Sequence, residues 1–278
     1  MQIGIRAHDV KASTFEGLVQ EIHREGFACC QLAVSKAVKD IPTNKEVLTP
    51  GLAHYMRRIF DRNEVDVAVL GCYLNLANPN PEKLTDILDT YKRHIRFAAQ
   101  IGAGVVGTET GACNEAYQYE PFSHSDEALD IFTQNLKIVV DYAERMGVIV
   151  GIEPVFKHIV CNAERTRKVL DTINSPNLQI IFDPVNLIHE TNYENCDAII
   201  REFVEMNGKE IAVFHSKDFV VEDGRMKTVP SGQGRLDYDF LLKYMKEHKP
   251  FIHTLLENTK PENAIQTKEF METKYAGI

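Results

Sequence analysis

Four short stretches of this sequence run through apolar residues and stop at a side chain able to ligate a metal ion. They are "VIVGIEP" (148–154), ending at Glu153; "IIFDP" (180–184), ending at Asp183; "AVFHSKD" (212–218), reaching His215; and "HTLLEN" (253–258), reaching Glu257. A lone acid after a strand is ordinarily a cap for the next helix or half of an ion pair. Four such positions in succession are harder to explain that way. Three carboxylates turned into one cavity repel one another and resist ionisation. A cation among them removes the conflict. Three carboxylates and one imidazole suit an oxygen-preferring divalent ion, Mn²⁺, Mg²⁺ or Co²⁺, and Zn²⁺ can also take such a set.

For four strand ends to meet, the strands must lie side by side and point the same way. β-rich runs fall at 2–7, 26–34, 65–74, 102–108, 147–154, 178–184, 210–218 and 250–258. Between them apolar residues recur at three- and four-residue spacing, the mark of amphipathic helices. The clearest is 125–147, with Ser125 as N-cap, acids in the first turn and Gly147 as the stop signal. Turn chemistry stands at "NPNP" (78–81) and "SPNL" (175–178). Eight β units, each followed by a helix, predict a single (β/α)₈ TIM barrel over residues 1–278; a doubly wound sheet is the alternative. In such a barrel the functional groups stand at the C-terminal ends of the strands, where these four residues fall.

The totals agree. A chain of 278 residues can form one large barrel or two smaller domains, and no linker or low-complexity tract divides this one. With 44% hydrophobic and 26% charged residues, it has the make-up of an ordinary soluble globular protein. A net charge of −9 disfavours a nucleic-acid partner. No apolar run approaches the roughly 18 residues of a membrane span, and the opening "MQIGIRAHDV" lacks the features of a signal peptide. The six cysteines are scattered with no C-x-x-C pair, as expected for reduced thiols in a cytoplasmic protein.

Read in order, "GIEP", "IFDPVN", "FHSKD" and "LLEN" resemble the xylose isomerase-like TIM-barrel superfamily, and "IGIRAHD" (3–9) and "GQGRLDY" (232–238) extend the likeness over nearly the whole chain. The superfamily holds sugar isomerases, ketose 3-epimerases, inosose dehydratases, hydroxypyruvate isomerases and endonuclease IV nucleases. The resemblance implies that Glu153, Asp183, His215 and Glu257 hold one divalent ion. It further implies that Glu153 and Glu257 form an acid/base pair for proton transfer next to a carbonyl, through an enediolate. The expected activity is that of a metal-dependent sugar or polyol isomerase/epimerase. The runner-up is an inosose-type dehydratase, and a silent sugar-binding barrel is a third reading. Two positions depart from the ketose 3-epimerases: Asn186 stands where they carry a His, and Val221 where they carry an Arg. Endonuclease IV needs further histidines, but this chain has Asn75, Glu109 and Asn186 at the corresponding points and no His in "DYD" (237–239).

Several residues are candidate substrate contacts. Arg6 and His8 share a face of the first strand, although His8 can equally be a loop histidine. Glu109 can bind a sugar hydroxyl or begin a helix. His158 can reach the site from the loop after Glu153, and Asn75 is one more candidate. Asn186 is expected at the substrate by its place in the family pattern. Lys217 can hold a carboxylate or phosphate, or pair with Asp218. The segment 222–235 reads as a surface hairpin, a lid or an oligomer contact. A homo-oligomer, dimer or tetramer, is expected from the family type.

Overall fold

The computed structural model describes residues 1–278. Eight parallel strands form its centre: β1 (Gln2–Arg6), β2 (Cys29–Leu32), β3 (Asp66–Gly71), β4 (Val105–Glu109), β5 (Ile149–Glu153), β6 (Leu178–Phe182), β7 (Ile211–Ser216) and β10 (His253–Leu256). β1 pairs with both β2 and β10, so the sheet closes on itself and the doubly wound alternative is excluded. Each strand lies within its expected window except β4, which runs one residue further, to Glu109. Helices cover the outside, and their apolar faces form the main core with the outward-facing strand residues. The helix Asp126–Met146 begins at Ser125, whose Oγ accepts a hydrogen bond from the Ala128 amide at 3.1 Å, and ends at Gly147 in the left-handed conformation.

Side chains alternate across a strand, and this parity builds the site. A smaller apolar cluster that includes Val69, Val105, Ile181, Val213 and Leu255 fills the barrel interior. Gly107 and Gly151 leave room for it: a Cβ on Gly151 would stand 2.7 Å from Val105 Cγ1 and 2.9 Å from Ile181 Cγ1. Two residues further along each strand, the same inward direction brings Glu109, Glu153, Asp183, His215 and Glu257 to the C-terminal mouth. A register shift between β6 and β7 pairs Ile181 with Val213 rather than with Ala212. The extra residue keeps His215 on the inward face, level with Asp183.

The remaining strands, β8 (Asp218–Glu222) and β9 (Arg225–Val229), form an antiparallel hairpin. Its turn is Asp223–Gly224, with φ of 50° and 74°, the positive pair a tight two-residue turn requires. Residues 222–229 of the segment 222–235 belong to this hairpin. No helix is long and apolar enough to cross a membrane.

Candidate metal centre

Glu153, Asp183, His215 and Glu257 are all buried, and one ligand atom from each lies within 4.8 Å of the others. His215 Nδ1 is 3.2 Å from Glu153 Oε1 and 3.4 Å from Glu257 Oε1. Asp183 divides its labour. Its Oδ1 accepts from the Val185 and Asn186 amides at 3.0 and 3.2 Å, the capping role a lone acid would have had. Its Oδ2 turns to the centre and has no well-aligned hydrogen-bond donor. His215 Nε2 is likewise buried without a partner. An unsatisfied carboxylate oxygen, two further carboxylates and an imidazole nitrogen at this spacing are donors that could hold a metal ion.

Lys217 enters the same cluster. Its Nζ lies 2.7 Å from Asp183 Oδ2, 3.0 Å from Glu257 Oε2 and 2.8 Å from Asn186 Oδ1. The expected alternative, a pair with Asp218, is not formed. Asp218 instead accepts backbone amides of Phe219, Leu236 and Gly232, tying the hairpin to the segment that follows it. Asn186 faces two ways: its Nδ2 donates to Glu153 Oε1 at 2.8 Å while its Oδ1 accepts from Lys217.

The charges respond to one another. Burial pushes the Asp183 carboxyl up to about 6 against the pull of Lys217. Burial also opposes charge on Glu257, but Lys217, His215 and Arg6 outweigh it and hold that carboxyl well below the usual range. Burial would lower His215, yet Glu153 and Glu257 hold it up at about 9.

The other candidates line two flanks. Arg6 donates through Nε to Asp9 Oδ2 at 2.8 Å and brings Nη1 to 3.5 Å from Glu257 Oε1. His8 stands in the turn after β1, with Nε2 at 3.9 Å from Asp9 Oδ1 and Nδ1 buried without a partner. On the far side, Glu109 ends β4 in register with Glu153. Burial and Glu153 push its carboxyl up to about 7. His158 Nδ1 lies 3.9 Å from Glu109 Oε2, and burial pushes its imidazole down to about 4. Asn75 is the candidate the structure turns away. Its Nδ2 donates to Ala112 and Asn114 carbonyls, and its Oδ1 accepts the Ala77 and Ala112 amides, so its polar atoms are consumed in holding loops.

Two neighbours had not been singled out from the sequence. The Tyr117 hydroxyl donates to Glu109 Oε2 at 3.2 Å, and its ring meets His158 edge-on. Tyr73 continues the inward parity of Val69 and Gly71, and its hydroxyl accepts from Gln31 Nε2 at 2.7 Å. Parity counted two residues past the end of β3 finds Tyr73. Tyr117 sits in an irregular loop and has no such signal.

A closed parallel barrel with a buried Glu–Asp–His–Glu group at its mouth defines an α/β barrel protein equipped to hold a metal ion. The chain belongs to the xylose isomerase-like TIM barrel family, whose family model matches residues 19–274. No curated protein matches it. Among solved structures it is similar to a D-tagatose 3-epimerase-like protein, at 20% identity and TM-score 0.76 over 99% of this chain and 97% of that one. It is also similar to the IOLI protein with a bound zinc atom, at 19% identity and TM-score 0.74 over 100% and 99%. A third is the probable 3-DHS dehydratase AsbF from Bacillus anthracis, at 13% identity and TM-score 0.74 over 98% of each chain. At these identities the likeness is one of fold.

Proposed function

We propose that this protein is a divalent-metal-dependent isomerase or epimerase of a small sugar or polyol. The observation that carries the reading is the convergence of Glu153, Asp183, His215 and Glu257 within 4.8 Å at the barrel mouth. Epimerase-like neighbours of the same fold add support. Mn²⁺, Mg²⁺, Co²⁺ or Zn²⁺ would be held by these four side chains, and it would supply Lewis-acid polarisation of a carbonyl and its adjacent hydroxyl.

The chain's own groups do the rest. Glu153 removes the proton from the carbon beside the carbonyl, leaving an enediolate. Glu257, ionised at rest, takes up a proton from solvent and delivers it to the enediolate. At the same carbon the centre is inverted, at the neighbouring carbon aldose and ketose interchange, and Glu153 then releases its proton to solvent. Arg6, beside Glu257, keeps that carboxylate oriented. Glu109, His158 and Tyr117 offer donors and acceptors to the hydroxyls of the substrate's far end, and His8 does so on the first strand's side. A dehydratase remains the second reading, favoured by the dehydratase neighbour and needing the same proton abstraction followed by loss of water.

Solvent exchange tests the proposal. Incubating the Mn²⁺-loaded protein with a panel of aldoses, ketoses and keto-polyols in D₂O is expected to place deuterium at a carbon beside the carbonyl of one of them. Glu153→Gln should slow that incorporation about 10²–10⁴-fold. Absence of exchange in every sugar, or full exchange in the Gln variant, sinks the reading. A product with new conjugated-carbonyl absorbance in the ultraviolet selects the dehydratase.

A further inference from the structure

Lys217 is only 7% exposed, yet it sits among carboxylates rather than facing open space. An ammonium has three N–H donors. Two of these donate hydrogen bonds, to Asn186 Oδ1 at 2.8 Å and Glu257 Oε2 at 3.0 Å, and the charge pairs with Asp183 Oδ2 at 2.7 Å. A side chain waiting to grip an anionic substrate would keep its charge unpaired, and this one is already paired with two carboxylates. Its partners are two of the four groups that would hold the metal, and Asn186 links it to a third, Glu153, at 2.8 Å. Buried carboxylates this close need a counter-charge at all times, before an ion binds as well as after.

We propose that Lys217 is the built-in counter-cation of the centre: with Asn186 it holds Asp183, Glu257 and Glu153 in ligand geometry before a divalent ion arrives, and it then competes with that ion for Asp183 and Glu257. The proposal rests on the metal reading above. It makes Lys217 a positioning residue whose charge sets the affinity of the site. Two positive centres sharing Asp183 Oδ2 repel each other, so the ion binds less tightly than the four ligands alone would hold it. Removing the ammonium relieves that repulsion. It also leaves the empty centre with uncompensated carboxylates, which further favours the loaded form.

The test compares wild type with Lys217→Met by Mn²⁺ titration calorimetry and by thermal unfolding of the chelated and loaded proteins. The Met variant is expected to bind Mn²⁺ about tenfold more tightly or better, to melt lower than wild type when chelated, and to gain more from the ion. Equal or weaker binding by the variant overturns the counter-cation role and leaves Lys217 as a substrate contact. If neither protein binds the ion, the metal reading itself falls and takes this proposal with it, an outcome distinct from equal binding by both. Should the variant fold only with Mn²⁺ present, the role is supported. Should it not fold at all, the side-chain ammonium resonance of wild-type Lys217 decides. A solvent-protected signal that shifts on addition of Mg²⁺ supports the role, and an unprotected one indifferent to Mg²⁺ overturns it.

Discussion

Single residues at the barrel mouth carry opposed duties. Asp183 caps the turn after β6 with one oxygen and offers the other to the centre. Glu257 is held ionised by Lys217, His215 and Arg6, so its neutral isostere should lose a ligand without losing volume. Metal analysis of Glu257→Gln beside wild type is expected to show the variant retaining less ion, and equal content would show the site misassigned. His158 makes a prediction with a definite sign. Its folded value of about 4 lies below the ordinary 6.5, so between those limits the unfolded chain binds a proton that the folded one does not. Stability is therefore expected to fall as pH drops below about 6.5, and to keep falling towards 4. The His158 ring resonances should stay at their neutral positions down to pH 5, and His158→Gln should flatten the stability loss over that window.

Elements matter here through register and through the loops they suspend. The shift between β6 and β7 keeps His215 on the inward face. Arg165 fastens the loop after β5, donating to the carbonyls of Ile159, His124 and Ser125 at 2.7, 3.1 and 2.8 Å, and this loop carries His158. The segment "GQGRLDY", part of the family likeness, has a structural task. Asp218 accepts amides from Gly232 and Leu236 within it, and a Cβ on Gly234 would fall 2.2 Å from the Phe219 carbonyl. Asp218→Ala should leave buried amides without acceptors and cost about 2–3 kcal/mol, read as a lower melting temperature with faster proteolysis within 219–235. An unchanged melting point would show that the clamp contributes nothing.

For the whole molecule, closure of the sheet decides chemistry far from the mouth as well. All six cysteines are free; five are buried and only Cys113 is partly exposed. Burial pushes the Cys30 thiol up to about 12, leaving it almost wholly protonated at neutral pH. Alkylation of the native protein followed by peptide mass mapping is expected to mark Cys113 first, with the other five reacting only on unfolding. Early labelling of Cys29 or Cys30 would mean that the barrel opens.

The sequence by itself determined the eight strands, their order, and the residue that each of β5, β6, β7 and β10 brings to the mouth. Alternation over four to six residues is a local property, and the recurring β–helix unit leaves parallel closure as the economical arrangement. Glu153, Asp183, His215 and Glu257 were legible for that reason, and so was Ser125 as a cap. Tertiary structure decided what local pattern cannot. The long Lys217 side chain chose Asp183 and Glu257 over its sequence neighbour Asp218, because the closed barrel places strand ends 34 and 40 residues away in the chain within 3.0 Å of its ammonium. Asn75 was lost to loop amides, and Tyr117 was brought to Glu109 by an irregular segment. Those outcomes depend on distances between remote residues, which exist only once the barrel has closed.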